Sequence, residues 1–575
     1  MNAATGVLPA RSDAPDDARI RAHSAPVAAR LRSWLTRPPV ATVVLFLVYL
    51  TCSTFDDPRG FLGTDTGAKV ATLEAMQRRH SWVPDVGYWA ARWDPHAALH
   101  PLYDTIPVGH HFVDVTTLPM ILVARPLWAI GGYRLALVLP MIGAVAVALA
   151  ALALARRLGA QHPMTVFWIV GLASPAFVYA LDLWEHTLGL ALMAWGVVLL
   201  YDTWSRRAGW KGALVAGALF GAAASMRTEA LLYGAVATAV VCVAVAVRER
   251  TPWLAARIGA SAFVGVGLLW VANDRLERAV LGGSLRESRA AGTAGAAGSD
   301  FVTRAGEALR TALGMNYASL AIEGLAGGCF FLALVGAAWL LATGRGTTRQ
   351  RAELIGAAAI LMLVRLHAGL AFMSGLVPAL PVAAFGFVLA WRDRPRRLLW
   401  VIAVASLPLV WLFQYTGGAA PQWGGRYILL SGFLLAVIGI VGTESIPRWS
   451  RLVVLGLCVV VTVAGVRYVG IRTHQGAVVA DTIAHLPDDL VISRYPHAFR
   501  EAGAQYTEQR HWLTAVYSAD VRKAATVARE SHARSVAVIV LPGWKTHLDG
   551  YREVSHRHFT FFSEHLLIRQ FVRTS

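Results

Sequence analysis

Gly63-Thr64-Asp65-Thr66-Gly67-Ala68-Lys69 sets a lone carboxylate between two threonines at the start of a segment of helical composition. A carboxylate fixed beside a membrane surface can take a proton from an acceptor hydroxyl, the task of a general base. The structural alternative is that Asp65 caps a helix running to about Arg78, with Lys69 and Glu74 in solvent, and the two roles are compatible. A second group is Asp182-Leu183-Trp184-Glu185-His186. If this stretch is helical, the i, i+3 and i+4 spacing puts two carboxylates and an imidazole on one face, able to bind a cation or orient a phosphate-bearing donor. Arg227 and Glu229 interrupt apolar sequence, as do Arg365 and His367 further on. Each pair reads either as a satisfied contact inside a helical bundle or as phosphate recognition, for which the planar guanidinium fork is suited. In Gln422-Trp423-Gly424-Gly425-Arg426-Tyr427, Arg426 stands beside two glycines that permit close backbone approach, while Trp423 and Tyr427 suit either sugar contact or an interfacial belt. Trp82 and Trp89, in a stretch that also holds His96, His100, His110 and His111, are candidates for stacking on a sugar or acceptor. Those histidines lack HExxH-type spacing.

These groups interrupt a chain that is 56% hydrophobic and only 15% charged over 575 residues, too apolar for a soluble domain. Apolar runs such as Val40 to Thr54, Leu135 to Ala155 and Leu452 to Val466 approach the roughly 20 residues that span a bilayer. The fold class expected is a polytopic α-helical membrane protein of about 13 transmembrane helices with a small C-terminal α/β domain. The net charge of +18 is not a nucleic-acid signature here, because the basic residues form short clusters between apolar runs. Arg156-Arg157, Arg206 to Lys211, Arg248 to Arg257, Arg345 to Arg351, Arg392 to Arg397 and Arg448 to Arg451 each follow an even-numbered crossing, which puts the N-terminus inside and the C-terminus outside. The four cysteines lack metal-ligand spacing and read as reduced packing residues. No cleavable signal is read before the first helix, which is expected to be an anchor.

Residues 1–38 read as a disordered cytoplasmic tail. Residues 39–470 form the transmembrane module, with a long first exterior loop at 55–112 and a second at 273–320, whose Gly/Ala/Ser stretch from Ala290 to Ser299 could act as a lid. Val113 to Ile130, broken by Pro119, Arg125 and Pro126, is left out of the helix count. Residues 471–575 turn soluble in composition. A helical stretch near Val478 to His485, strands at Leu490 to Ser493 and Ser535 to Leu541, and a helix at Ala519 to His532 predict an exterior α/β domain without a glycine-rich phosphate loop.

From about 39 to 470 the pattern resembles the GT-C superfamily of membrane glycosyltransferases, which includes the protein mannosyltransferases and lipid A aminoarabinose transferase. The likeness rests on the Gly-Thr-Asp65-Thr-Gly loop, the stretch from Trp128 through Gly131-Gly132-Tyr133-Arg134-Leu135 to Arg156-Arg157, the acidic turn from Asp182 to His186, and the QWGGRY segment. It implies inverting transfer of a sugar from a polyprenyl-phosphate donor to a glycan, lipid or protein acceptor on the exterior face of the bacterial cytoplasmic membrane. By position it makes Asp65 the base, Asp182 and Glu185 the second acidic site with His186 beside them, and Arg227, Arg426 and His186 phosphate ligands; Arg365 and His367 remain phosphate-binding candidates on their own placement. Many members place two adjacent acidic residues in the first loop, whereas the nearby pair here is Asp56-Asp57; the helix that follows favours Asp65.

A lipid-carried donor also agrees with the residues themselves. Sugar nucleotides are cytoplasmic, the ionisable groups gather at exterior helix ends, and the chain has no D-x-D motif. Membrane lipids, the lipid-linked sugar and an exterior acceptor are the partners expected, with no nucleic acid. A divalent cation, Mg or Mn, could be held by Asp182 and Glu185. The competing class is a transporter or flippase, which predicts broken-helix repeats and midplane charges.

Overall fold

The computed structural model describes residues 35–114, 117–285, 287–288, 302, 322–367, 373, 375–414, 422–562 and 564–574. Most of the predicted N-terminal tail and the Ala290 to Ser299 stretch lie outside the described residues. In chain order the helices and strands are α1 (Pro38–Cys52), α2 (Thr64–Arg78), the hairpin β1 (Thr105–Val108) and β2 (His111–Asp114), then α3 (Leu118–Ala136), α4 (Val138–Arg157), α5 (Pro163–Leu172), α6 (Pro175–Ala180), α7 (His186–Trp204), α8 (Gly209–Ala224), α9 (Glu229–Glu249) and α10 (Pro252–Leu281). There follow α11 (Ile322–Thr343), α12 (Thr348–His367), α13 (Leu376–Ala379), α14 (Ala383–Leu389), α15 (Arg394–Gln414), α16 (Leu429–Thr443) and α17 (Arg448–Ala484). The C-terminal part adds β3 (Leu490–Ser493), α18 (Ala498–Glu501), β4 (Trp512–Thr514), α19 (Ser518–Glu530), β5 (Ser535–Val540), β6 (Tyr551–Phe561) and β7 (Glu564–Arg573).

In hydrocarbon each backbone N–H and C=O must find its partner within the segment, so apolar runs of this length become helices. Among the described residues seven helices are long and apolar enough to cross a membrane: α1 with its short 3-10 extension, α4, α7, α9, α10, α15 and α17. The chain is a multi-pass membrane protein. Further apolar helices among the described residues, α5, α16 and the Gly328–Thr343 part of α11, are shorter than that length. Residues 163–180 split into α5 and α6 at Ser174, whose side chain caps α6. Residues 376–389 form only α13 and α14, and α3 kinks where Gly132 takes a φ of 58°. The second loop also begins later than the sequence suggests, because α10 continues through Asn273 to Leu281 before Gly282 ends it in the left-handed region.

Without water to drive apolar faces together, membrane helices gain by approaching closely over small residues. α8 and α10 do so: a Cβ on Gly217 would lie 2.0 Å from the Ala262 carbonyl oxygen, and one on Gly265 would lie 2.2 Å from that of Leu214. Either position as alanine would force the pair apart.

The change to soluble composition near Gly470 falls inside α17, which runs unbroken to Ala484. Beyond it a five-stranded sheet has the order β4-β3-β5-β7-β6, with β3 parallel to β4 and β5, and β7 antiparallel to β5 and β6. Strand side chains alternate faces. Leu490, Ile492, Val536 and Val538 pack under α19 with Tyr88, Ala90 and Leu99 of the first loop, whereas Val491, Ala537 and Ile539 meet Val479 and Ile483 of α17 and Ala71 of α2. Sheet and first loop therefore share both cores.

Candidate active site

The break before α2 fixes the position of Asp65. The N-cap is Gly63, in extended backbone, and Asp65 falls in the first turn, so it is not the capping residue. Its carboxylate instead turns into a cavity of about 320 Å³. There Arg426 Nη1 lies 3.3 Å from Asp65 Oδ2 and Arg500 Nη1 lies 3.4 Å from Oδ1, so two guanidinium groups bracket one carboxylate. The Asp65 side chain keeps 37% of its surface exposed. Burial would raise its pKa, but Arg426, Arg500 and Lys69 outweigh that and hold the carboxyl below its ordinary value.

One turn along α2, Lys69 is buried rather than solvated and meets Glu185 Oε2 at 2.7 Å. Glu185 Oε1 takes Arg227 Nη1 at 3.3 Å, and Arg227 Nε donates to Glu229 Oε1 at 2.9 Å. Burial alone would raise the Glu185 pKa, yet Lys69 and Arg227 pull it down to about 2. The Tyr427 ring lies under both Arg227, 4.9 Å from its centroid, and Arg426, at 4.7 Å. Arg426 Nη2 also donates to the Tyr427 hydroxyl at 2.8 Å. Arg227 Nη2, Arg426 Nε and Arg500 Nε are buried donors with no hydrogen-bond partner among the described residues, an arrangement that costs free energy unless an acceptor arrives.

Across the cavity, Asn273 Nδ2 donates to Glu277 Oε1 at 2.7 Å near the C-terminal end of α10. Asp104 lines the opening with φ at 73°, in the left-handed region. Asp114 is buried, and that burial pushes its carboxyl up to about 6 despite the Arg500 guanidinium beside it.

Several candidates fall elsewhere. Residues 181–185 form turns rather than a helix, so Asp182, Glu185 and His186 share no helical face. Asp182 is fully buried and accepts from the Thr66 hydroxyl at 2.6 Å and the Tyr133 hydroxyl at 2.9 Å. His186 is sandwiched by rings, stacked on Tyr179 at 4.6 Å and tilted to Trp184 at 4.7 Å. Neither lines the cavity, whereas Glu185 does. Arg365 and His367 sit at the end of α12 and do not reach it. Trp82 is 59% exposed. Trp89 Nε1 donates to the Trp512 carbonyl at 3.0 Å, and Trp423 is buried against Tyr468; none of the three tryptophans lines the cavity. Asp56 and Asp57 do not line it either, and Asp57 is paired with Arg59. Asp182 and Glu185, the pair considered for a divalent cation, are each engaged by other groups. The first is taken by two hydroxyls, the second by two cations, and among the described residues no three His, Cys, Asp or Glu side chains gather around a common point.

Sequence reasoning missed Arg500, Asp104, Asp114, Asn273 and Glu277 as site residues. Arg500 joins Asp65 across 435 positions of chain, and no local pattern marks it.

No protein-family model and no curated protein matches the chain. Among solved structures, it is similar to ArnT from Cupriavidus metallidurans bound to undecaprenyl phosphate, with a TM-score of 0.48 and 12% identity over 93% of this chain and 98% of that one. The same protein in its apo state aligns with a TM-score of 0.42 and 13% identity, covering 94% and 98% of the two chains. The apo oligosaccharyltransferase of Archaeoglobus fulgidus aligns with a TM-score of 0.42 and 10% identity over 86% of this chain and 69% of that one.

Proposed function

We propose that the chain is an inverting glycosyltransferase that moves a sugar from a polyprenyl-phosphate donor to an acceptor hydroxyl at the exterior face of the bacterial cytoplasmic membrane. The observation that carries this reading is the cavity itself, where the Asp65 carboxylate faces buried guanidinium groups that still have N–H donors to give. A base beside an anion site is the pair that transfer from a phosphate-linked sugar requires.

In this reading the acceptor oxygen attacks the anomeric carbon while Asp65 takes its proton. The bond from that carbon to the phosphate oxygen breaks, and its electron pair leaves with the polyprenyl phosphate. Arg426 and Arg227 face the charge that grows on the departing oxygen, a term often worth several kcal/mol. Tyr427 fixes both guanidinium planes through its ring, while Glu185 orients Lys69 and Arg227 from behind. The low pKa of Asp65 makes it a weak base when the cavity holds no anion. A donor phosphate on the same arginines offsets their charge and strengthens the base when it is needed.

The test is transfer of radiolabelled sugar from a panel of polyprenyl-phosphate sugars by membranes containing the wild type or Asp65→Asn. Transfer by the wild type, reduced about 10³-fold in the variant, supports the reading. Uptake or flipping without transfer from any donor would replace it with the transporter reading.

A further inference from the structure

Among the described residues the C-terminal α/β domain lines the cavity through one side chain. Arg500, in the short helix α18, is 4% exposed. Its Nη2 donates to Asp114 Oδ2 at 2.7 Å, while Nη1 makes only long contacts, 3.4 Å to Asp65 Oδ1 and 3.5 Å to Asp104 Oδ2. Its Nε has no hydrogen-bond partner among the described residues. A buried guanidinium normally uses its whole fork. Here one edge is anchored on Asp114 and the rest is loosely held at the cavity wall.

Two further observations show that Arg500 is placed there by construction of the fold. Helix α2 and the segment around α18 meet backbone to backbone: a Cβ on Gly67 would lie 1.7 Å from the Arg500 carbonyl oxygen, and one on Gly503 would lie 1.9 Å from that of Gly67. The helix that carries Asp65 and the segment that carries Arg500 therefore hold a fixed register two residues from the carboxylate. Around this contact the domain and the first loop are stitched together by Arg78 Nη2 to the Tyr506 carbonyl at 3.2 Å, the Tyr506 hydroxyl to the Gly87 carbonyl at 2.9 Å, and the Thr514 amide to the Leu99 carbonyl at 2.9 Å.

Asp65 is thus an anion gripped by two arginines from distant parts of the chain, one oxygen each. Guanidinium groups recognise carboxylate and phosphate with the same fork geometry. Building on the lipid-phosphate reading above, we infer that Arg500 is a further phosphate-binding residue beside Arg426 and Arg227, supplied by the C-terminal domain opposite Arg426, and that the donor phosphate displaces the Asp65 carboxylate from Arg426 and Arg500 and so frees it as the base. The exchange is one anion for another on the same donors, and no bond is made or broken in it. The C-terminal domain is in this account a wall of the active site, and the site is incomplete without it.

The test uses the full-length protein in nanodiscs and undecaprenyl phosphate as the probe, with Arg500→Gln, Arg500→Lys and, as a docking control, Arg78→Ala. Arg500→Gln should weaken undecaprenyl phosphate binding and raise the donor KM about tenfold or more, and Arg500→Lys, which keeps the charge, should recover part of both. Arg78→Ala loses one stitch of the domain but should bind as the wild type does. Equal losses in Arg78→Ala and Arg500→Gln, or wild-type binding by a folded Arg500→Gln, would overturn the assignment. A measurement that needs no variant is the rate of phenylglyoxal modification of Arg500, read by mass spectrometry. Undecaprenyl phosphate should slow it, and an unchanged rate counts against the assignment. If the wild type binds no undecaprenyl phosphate, the lipid-phosphate reading itself fails and takes this assignment with it.

Discussion

Two acidic clusters share the first turn of α2 and differ in every respect that matters for chemistry. Asp65 opens into a cavity, faces guanidinium groups and sits below its ordinary pKa. Asp182, bound by the hydroxyl of the very next residue, Thr66, is fully buried with hydroxyl donors on both oxygens, and burial holds it up at about 6 despite the charge on Lys69. The first arrangement is an ionised group with room for a substrate. The second is a closed hydrogen-bond hub tying α2 to Tyr133 of α3 and to the turn before α7. A carboxylate's residue type does not separate the two; its partners do, because only mobile or unsatisfied partners can be exchanged for a substrate.

The sharpest way to break this contrast is at Asp65. Asp65→Asn should lower the transfer rate about 10³-fold with little change in the thermal unfolding midpoint in detergent. Next in size, Arg426→Gln should cost about 10²-fold in kcat/KM for the lipid donor, the scale of one lost donor to developing charge. At the hub the effect should move from rate to stability: Asp182→Ala leaves the Thr66 and Tyr133 hydroxyls without their acceptor and should destabilise by roughly 1–3 kcal/mol, with the midpoint lowered and transfer retained.

The hub also has a pH signature. Because the folded pKa of Asp182, about 6, lies above its ordinary value of 3.8, the fold favours the protonated form. Its contribution is complete below the ordinary value and is lost as pH rises through about 6. The unfolding midpoint should therefore fall between pH 4 and 6 more steeply in the wild type than in Asp182→Asn, and equal slopes would remove Asp182 as the cause. The smallest effect is expected at Trp82, which is exposed and away from the cavity. Trp82→Ala should leave transfer within about twofold, as surface changes usually do.

Much of this was legible in the sequence where a residue broke a strong local pattern. Asp65 and Arg426 were, because a lone carboxylate between two threonines at the start of a helical segment and an arginine beside two glycines stand out against apolar runs; both line the cavity. The same QWGGRY segment misled at Trp423, since backbone turns at Gly424 and Gly425, both with positive φ, send neighbouring side chains in different directions. Asp182 and His186 were grouped by helical spacing, but Leu181 to Glu185 is a turn, so the i, i+4 rule does not apply. Arg500 could not be found, because its place depends on the sheet domain docking back on α2 through Gly67 and Gly503, a contact between segments more than 400 residues apart. The helical membrane class follows from hydropathy alone. Helix number does not, since a proline, a serine cap or a positive-φ glycine can divide one apolar run into two short helices.

The central claim is that Asp65 is the base of a lipid-phosphate sugar transfer and Asp182 is not. Single-turnover transfer from a radiolabelled polyprenyl-phosphate sugar, measured side by side for the wild type, Asp65→Asn and Asp182→Asn at matched folded protein, tests it most directly. The account predicts a rate loss of about 10³-fold for Asp65→Asn and less than about tenfold for Asp182→Asn. A folded Asp182→Asn as inactive as Asp65→Asn, or an Asp65→Asn that transfers at the wild-type rate, would contradict it.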